Sequence, residues 1–197
     1  MTTASRTMFE EVALRSEPDL ITSAQSGDSH AFGELVARHR DGVVRVVYRM
    51  CGDPELAEEA AQEAFVRAWQ RLSSYKAGHA FRAWVYRIAI NAALDVLRAR
   101  KPTTPLESLA EASLPAENAG ANPEAAVERR QRAERVQQAV MALPAPSRAV
   151  LVLREWGGLS YAEIAAALSI PLGTVMSRLN SARAQLRQSL AGLLEAL

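Results

Sequence analysis

Apolar residues return every three to four positions through most of the chain, and nowhere do they alternate with polar ones over a strand's length. The pattern predicts an all-α protein. Asp28 or Ser29 caps a first helix whose Phe32, Leu35, Val36, Val43, Val46, Val47 and Met50 share one face, and Gly52 ends it. Asp53 followed by Pro54 is an N-cap with proline at the first helical position. It opens a second helix that turns Ala60, Ala61, Ala64, Phe65, Ala68 and Leu72 inward. The run from Ser73 to His79 breaks the period, and a third helix starts near Ala80 with Phe81, Val85, Ile88, Ala89, Ala92 and Val96 as its apolar stripe. These elements predict a small helical bundle over residues 24–101, preceded by a fraying extension, 1–23.

Residues 102–123 hold four of the nine prolines and no apolar period, which reads as a flexible linker. Beyond it, residues 124–197 predict a second helical domain. A helix over Glu124–Leu143 has Val127, Val136, Val140 and Leu143 as its stripe, and Pro144 and Pro146 stop it. Ser147 then caps a short helix, Arg148–Trp156, which Gly157 and Gly158 terminate. Ser160 and Glu163 have capping-box spacing in front of Ile164, Ala165 and Leu168. A turn over Ser169–Gly173 leads to a last helix from about Thr174 to Leu190, with Val175, Leu179, Ala182 and Leu186 on one face. Two short helices joined by a tight turn, the second amphipathic, have the form of a helix-turn-helix.

Composition narrows the possibilities. With 197 residues, 49% of them hydrophobic, and a net charge of +1, the chain has enough apolar material for one large or two small globular domains. No apolar run approaches the roughly 18 to 20 residues of a membrane span, and the first thirty residues lack a basic-then-apolar leader, so a cytoplasmic protein without membrane insertion is expected. Cys51 stands alone, and His30, His39 and His79 show no ligand spacing, so no metal or other cofactor is expected. The absence of a glycine-rich phosphate loop, or of a nucleophile with a spaced base, argues against an enzyme.

The charge is unevenly spread. Residues 31–101 and 128–197 are each mildly basic, whereas 102–127 carry four acids and no base. A protein that holds DNA unaided needs a stronger basic patch, so binding to nucleic acid here requires help.

Three faces carry candidate chemistry. On the last helix Thr174, Ser177, Arg178 and Ser181 point outward, suited either to base edges and phosphates or simply to solvent. On the third helix Trp84, Arg87, Asn91, Asp95 and Arg98 recur at helical spacing opposite the stripe. An aromatic ring among basic and amide groups suits stacking on unpaired bases, although Trp84 equally suits core packing. Along the second helix Glu55, Glu59 and Gln62 share an acidic face beside Glu58 and Glu63, which either is solvated or docks a basic partner.

Taken together, the stretches Ala57–Trp69, Phe81–Arg100 and Ala142–Leu186 resemble those of bacterial RNA polymerase sigma factors of the extracytoplasmic-function (ECF) group, within the sigma-70 family, over about residues 24–190. The resemblance implies a region 2 domain and a region 4 domain. It implies that Glu59, Gln62 and Phe65 dock on the β′ coiled coil of core RNA polymerase. It further implies that the Ser73–His79 loop and the helix after it capture and open the promoter −10 element, with Trp84, Arg87, Asn91 and Arg98 against single-stranded bases. The helix-turn-helix would read duplex DNA at the −35 element through Thr174, Ser177, Arg178, Asn180 and Ser181. Met176, Asn180 and Ser181 depart from the basic or bulky residues common there, and Glu59 stands where Asp is commoner. The linker would pass through the polymerase, whose β′ coiled coil and β subunits are the implied partners, near its active centre and RNA exit path, and an anti-sigma factor would hold the protein inactive.

Overall fold

The computed structural model describes residues 15–76, 80–99 and 123–194, apart from the side chains of 98, 99, 123–125 and 192–194. Among them are eight α-helices and no strand. In the first unit these are α1 (Glu17–Gln25), α2 (Ser29–Cys51), α3 (Pro54–Arg71), extended by a 3-10 turn at Leu72–Ser74, and α4 (Phe81–Ala99). The second unit comprises α5 (Pro123–Met141), α6 (Ala145–Glu155), α7 (Tyr161–Leu168) and α8 (Leu172–Leu194). Of the segment expected as a linker, 102–123, Pro123 begins α5 and residues 102–122 lie outside the described residues, as do 1–14, 77–79, 100–101 and 195–197.

Capping follows the sequence closely. Asp28 accepts hydrogen bonds from the backbone N–H groups of His30 and Ala31, and Asp53 does the same for Glu55 and Leu56. Gly52 ends α2 in the left-handed conformation at φ 76°. In the bundle Leu35, Met50, Phe81 and Ile90 are fully enclosed, each burial contributing roughly 1.5–3 kcal/mol. Gly42, inside α2, interrupts an otherwise apolar stripe because the Tyr86 hydroxyl occupies its side-chain space: a Cβ there would sit 2.5 Å from Tyr86 Oη.

Three expectations are corrected. Residues 17–23 are not a fraying tail. They belong to α1, capped by Ser16, which buries Leu20, Ile21 and Ala24 against α2. The helix expected from Arg148 begins at Ala145 without a Ser147 cap, because Pro146 fits the first turn, where its missing N–H has no partner to lose. Val127 does not join an apolar stripe, being 55% exposed. Arg130 and Glu134 form an ion pair along the exposed part of α5, which is held by its C-terminal half.

The units are not merely tethered. The end of α2 packs on α5 and α6, and α4 packs on α7, so one continuous core runs through both. Arg148, 8% exposed, reaches out of α6 and donates to the carbonyl of Met50 at 2.6 Å, while also donating to those of Met141 and Leu143 in its own unit at 2.8 and 3.0 Å. Arg49 returns the exchange: it donates to Gln137 Oε1 at 2.7 Å and lies 4.9 Å over the Trp156 ring. Gln137 Nε2 in turn donates to the Tyr48 carbonyl. Burial pushes both guanidinium pKa values down from the usual arginine range. Tyr86 fits between Gly42 and Gly157, one glycine from each unit.

Candidate nucleic-acid and polymerase interfaces

The first candidate face is a groove between α2 and α3. Its apolar lining comes from Phe32, Val36, Ala61, Phe65, Val66 and Trp69, and it encloses about 710 Å³. Phe32 and Trp69 stack at a tilt with ring centroids 4.9 Å apart. Glu59 and Gln62 are exposed on its rim, whereas Phe65 is buried at 7% and forms part of its wall. Glu58, also on the rim, pairs with Arg40 at 2.7 Å. The arrangement suits an apolar helix with polar flanks. Val66 and Trp69, at 46% and 38% exposure, were not singled out from the sequence. Their signal was available: with Gln62 they fall at i, i+4 and i+7, off the buried stripe.

The second face is on α4. Trp84 is half-buried, with its ring edge-on to Tyr75 at 5.3 Å and tilted against Phe81 at 5.7 Å. The ring rests on the core and also lines a surface crevice. Arg87 and Asn91 are exposed in the same region. Asp95 lies 3.6 Å from Arg67 of α3, and the Arg98 side chain is outside the described residues. Gln25 of α1 donates from one amide nitrogen to the carbonyls of Leu72 and Tyr75, both at 2.9 Å, and so fixes the turn on which Tyr75 sits. Nothing in the local sequence pattern pointed to Gln25.

This face is not open. Trp84 and Arg87 line a crevice with Glu163, Ala166 and Ala167 of α7, and Arg87 and Asn91 line a neighbouring one with Leu168 and Ser169. Each crevice encloses about 290 Å³. Arg82 ties the same edge by donating to the Gly158 carbonyl at 3.3 Å.

The third face is on α8. Ser160 and Glu163 form a complete capping box at the start of α7, and hydrogen bonds from the Ser160 hydroxyl and backbone N–H hold the Glu163 carboxyl below its ordinary pKa. Ser169 makes the turn with a left-handed φ of 53°. Val175, Leu179 and Ala182 then bury the inner face of α8, while Arg183 pairs with Glu155 of α6 at 2.7 Å. Ser177, Asn180 and Ser181 are exposed on the outer side, with Thr174 and Arg178 half-buried beside them. The Ser177 hydroxyl donates to the Thr174 carbonyl, leaving its lone pairs free to accept. Five expected residues therefore lie along one end of one helix. Among the described residues no group of His, Cys, Asp and Glu could hold a metal, and no helix is long and apolar enough to cross a membrane.

A helical bundle with an aromatic and basic face, joined to a helix-turn-helix, defines a two-part protein of the sigma-70 class. The family description "Sigma-70 region 2" matches residues 35–103, and "Sigma-70, region 4" matches 133–186. The chain is 36% identical over 187 residues to the ECF RNA polymerase sigma factor SigW of Bacillus subtilis, covering 88% of this chain and 96% of that protein. It is 36% identical over 172 residues to the ECF RNA polymerase sigma-E factor of Escherichia coli K12, covering 83% and 88%. Among solved structures, CnrH in complex with the cytosolic domain of CnrY superimposes with a TM-score of 0.66 at 29% identity, covering 90% of this chain and 96% of CnrH. The chain belongs to the ECF sigma factors of the sigma-70 family.

Proposed function

We propose that this chain binds core RNA polymerase and directs it to promoters, using the α2–α3 groove for the polymerase, the α4 face for the −10 element and α8 for the −35 element. The observation that carries the reading is the groove: a large apolar trough with exposed Glu59 and Gln62 on its rim, on the bundle that also carries Trp84, Arg87 and Asn91. A coiled-coil segment of β′ is the occupant that the family implies. Residues 15–99 would then act as region 2 and 123–194 as region 4, with 102–122 threading the enzyme and the −10 face using Arg98 as well.

Flipping bases out of a duplex costs a few kcal/mol, and a ring such as Trp84 recovers part of that by stacking. The chain's near-zero net charge gives little affinity for DNA by itself. Anchored on one polymerase, two weak DNA contacts reinforce each other through effective concentration. Since α7 lies beside Trp84 and Arg87, the reading has the two units part when promoter DNA is engaged. A regulator that clasps the closed form, an anti-sigma factor, completes the reading. CnrH, a relative, was solved in complex with a partner, the cytosolic domain of CnrY. The site of action is the cytoplasm, with no chemical catalysis by this chain.

The test is binding of fluorescently labelled full-length protein to core polymerase. Gln62→Ala and Glu59→Ala, at exposed positions that leave the fold intact, are each expected to weaken binding by about tenfold, the scale of one lost hydrogen bond to a partner. Unchanged affinity in the double variant would remove the groove from the interface.

A further inference from the structure

The start of α8 carries an apolar pair that the roles above leave unused. Leu172 and Met176 are 45% and 44% exposed, although each is large and apolar. They stand one turn apart on the same flank of the helix, and Asn180 continues the row by one further turn. A long helical side chain leans toward the N-terminus, so the Met176 thioether covers the first turn beside Leu172.

The charge around this pair indicates what covers it. Over Leu172–Leu194 the helix carries three arginines and no acidic residue; Arg183 pairs with Glu155, while Arg178 lies two residues from Met176 and Arg187 further along. Such a surface suits a polyanion. Few polyanions offer apolar groups to a methionine, but the major groove does, since each thymine projects a C5-methyl there. The first turns of the second helix of a helix-turn-helix are also the part that reaches base edges.

We infer that Met176, flanked by Leu172, reads thymine methyl groups in the −35 element, making it a specificity-determining residue. The inference rests on the reading of α8 as the −35 helix. Met176 is flexible and polarisable enough to fit a methyl without a fixed geometry. A basic residue at that position would favour guanine through O6 and N7 instead. The chain therefore selects thymine where a relative with a basic residue selects guanine.

The test uses holoenzyme assembled from core polymerase and the full chain. Duplex promoters are first selected from a library randomised over the −35 region, and each selected thymine is then replaced singly by deoxyuridine, which removes only the methyl. Wild-type holoenzyme is expected to bind about fourfold more weakly at one or two of these positions, the effect of one buried methyl-sized group. Met176→Ala, at an exposed position that leaves the core intact, is expected to bind thymine and deoxyuridine equally at those positions. An equal response of the wild type to every deoxyuridine, or a penalty that persists in Met176→Ala, would overturn the inference while leaving α8 as the −35 helix. Failure to select any −35 sequence would overturn the −35 reading itself, and the inference with it.

Discussion

At the scale of single residues, the sequence pattern explains inward-facing positions better than it explains exceptions. Gly42 is such an exception. In an ordinary helix interior, alanine is better than glycine by about 1 kcal/mol. Here the Cβ of Gly42→Ala would enter the space of Tyr86, which is itself confined on its other side by Gly157. The substitution is therefore expected to destabilise, by about 1–3 kcal/mol as for other overpacked sites, measured as a lower urea midpoint. Glu163 gives a second test. Its folded-state pKa lies below the ordinary 4.5, so its capping contribution is complete above about pH 4.5 and is lost as pH falls through the folded value. Between pH 6 and pH 3, Glu163→Gln should lose less stability than the wild type; identical slopes would show that the capping box does not couple to folding.

At the scale of elements, α2, α3, α4, α7 and α8 were legible because each joins a clear apolar period to a chemical start or stop signal. Asp28, Asp53 and Ser160 cap where the pattern begins, and Gly52 stops where it ends. The helix α1 was not legible, since nine residues with three buried apolar side chains give too short a period to stand out. Val127 shows the opposite failure: a periodic residue stays 55% exposed. The polymerase-docking residues implied by resemblance fall on one groove, but its walls include Phe32 and Trp69, which a reading for core positions does not separate from buried residues. Trp69→Ala removes the largest exposed ring of that groove. It is expected to weaken binding to core polymerase by about thirtyfold or more, as loss of a central aromatic anchor does, with helicity unchanged by circular dichroism. Wild-type affinity in this variant would show that the groove binds something else.

At the scale of the whole molecule, the sequence pattern gives no sign of how the two units pack. Arg49, Arg82 and Arg148 reach carbonyls and an amide of the opposite unit, and such contacts have no sequence period. Arg49 and Arg148 join α2 to α5 and α6, and Arg82 joins α4 to the turn before α7. These polar bridges add to the apolar packing of α2 on α5 and α6 and of α4 on α7. Arg49→Ala combined with Gln137→Ala removes both partners of one bridge without touching α8 or the groove. Small-angle scattering should then show a larger radius of gyration for the free protein, and an unchanged radius would mean that apolar packing alone holds the units. The central claim concerns the joined molecule on its enzyme, and run-off transcription tests it most directly. Core polymerase and this protein together should give discrete transcripts from genomic promoter fragments, with neither component sufficient alone and with the transcripts lost on Trp84→Ala. Absence of promoter-specific transcripts from the complete mixture, despite stable association with core polymerase, would contradict it.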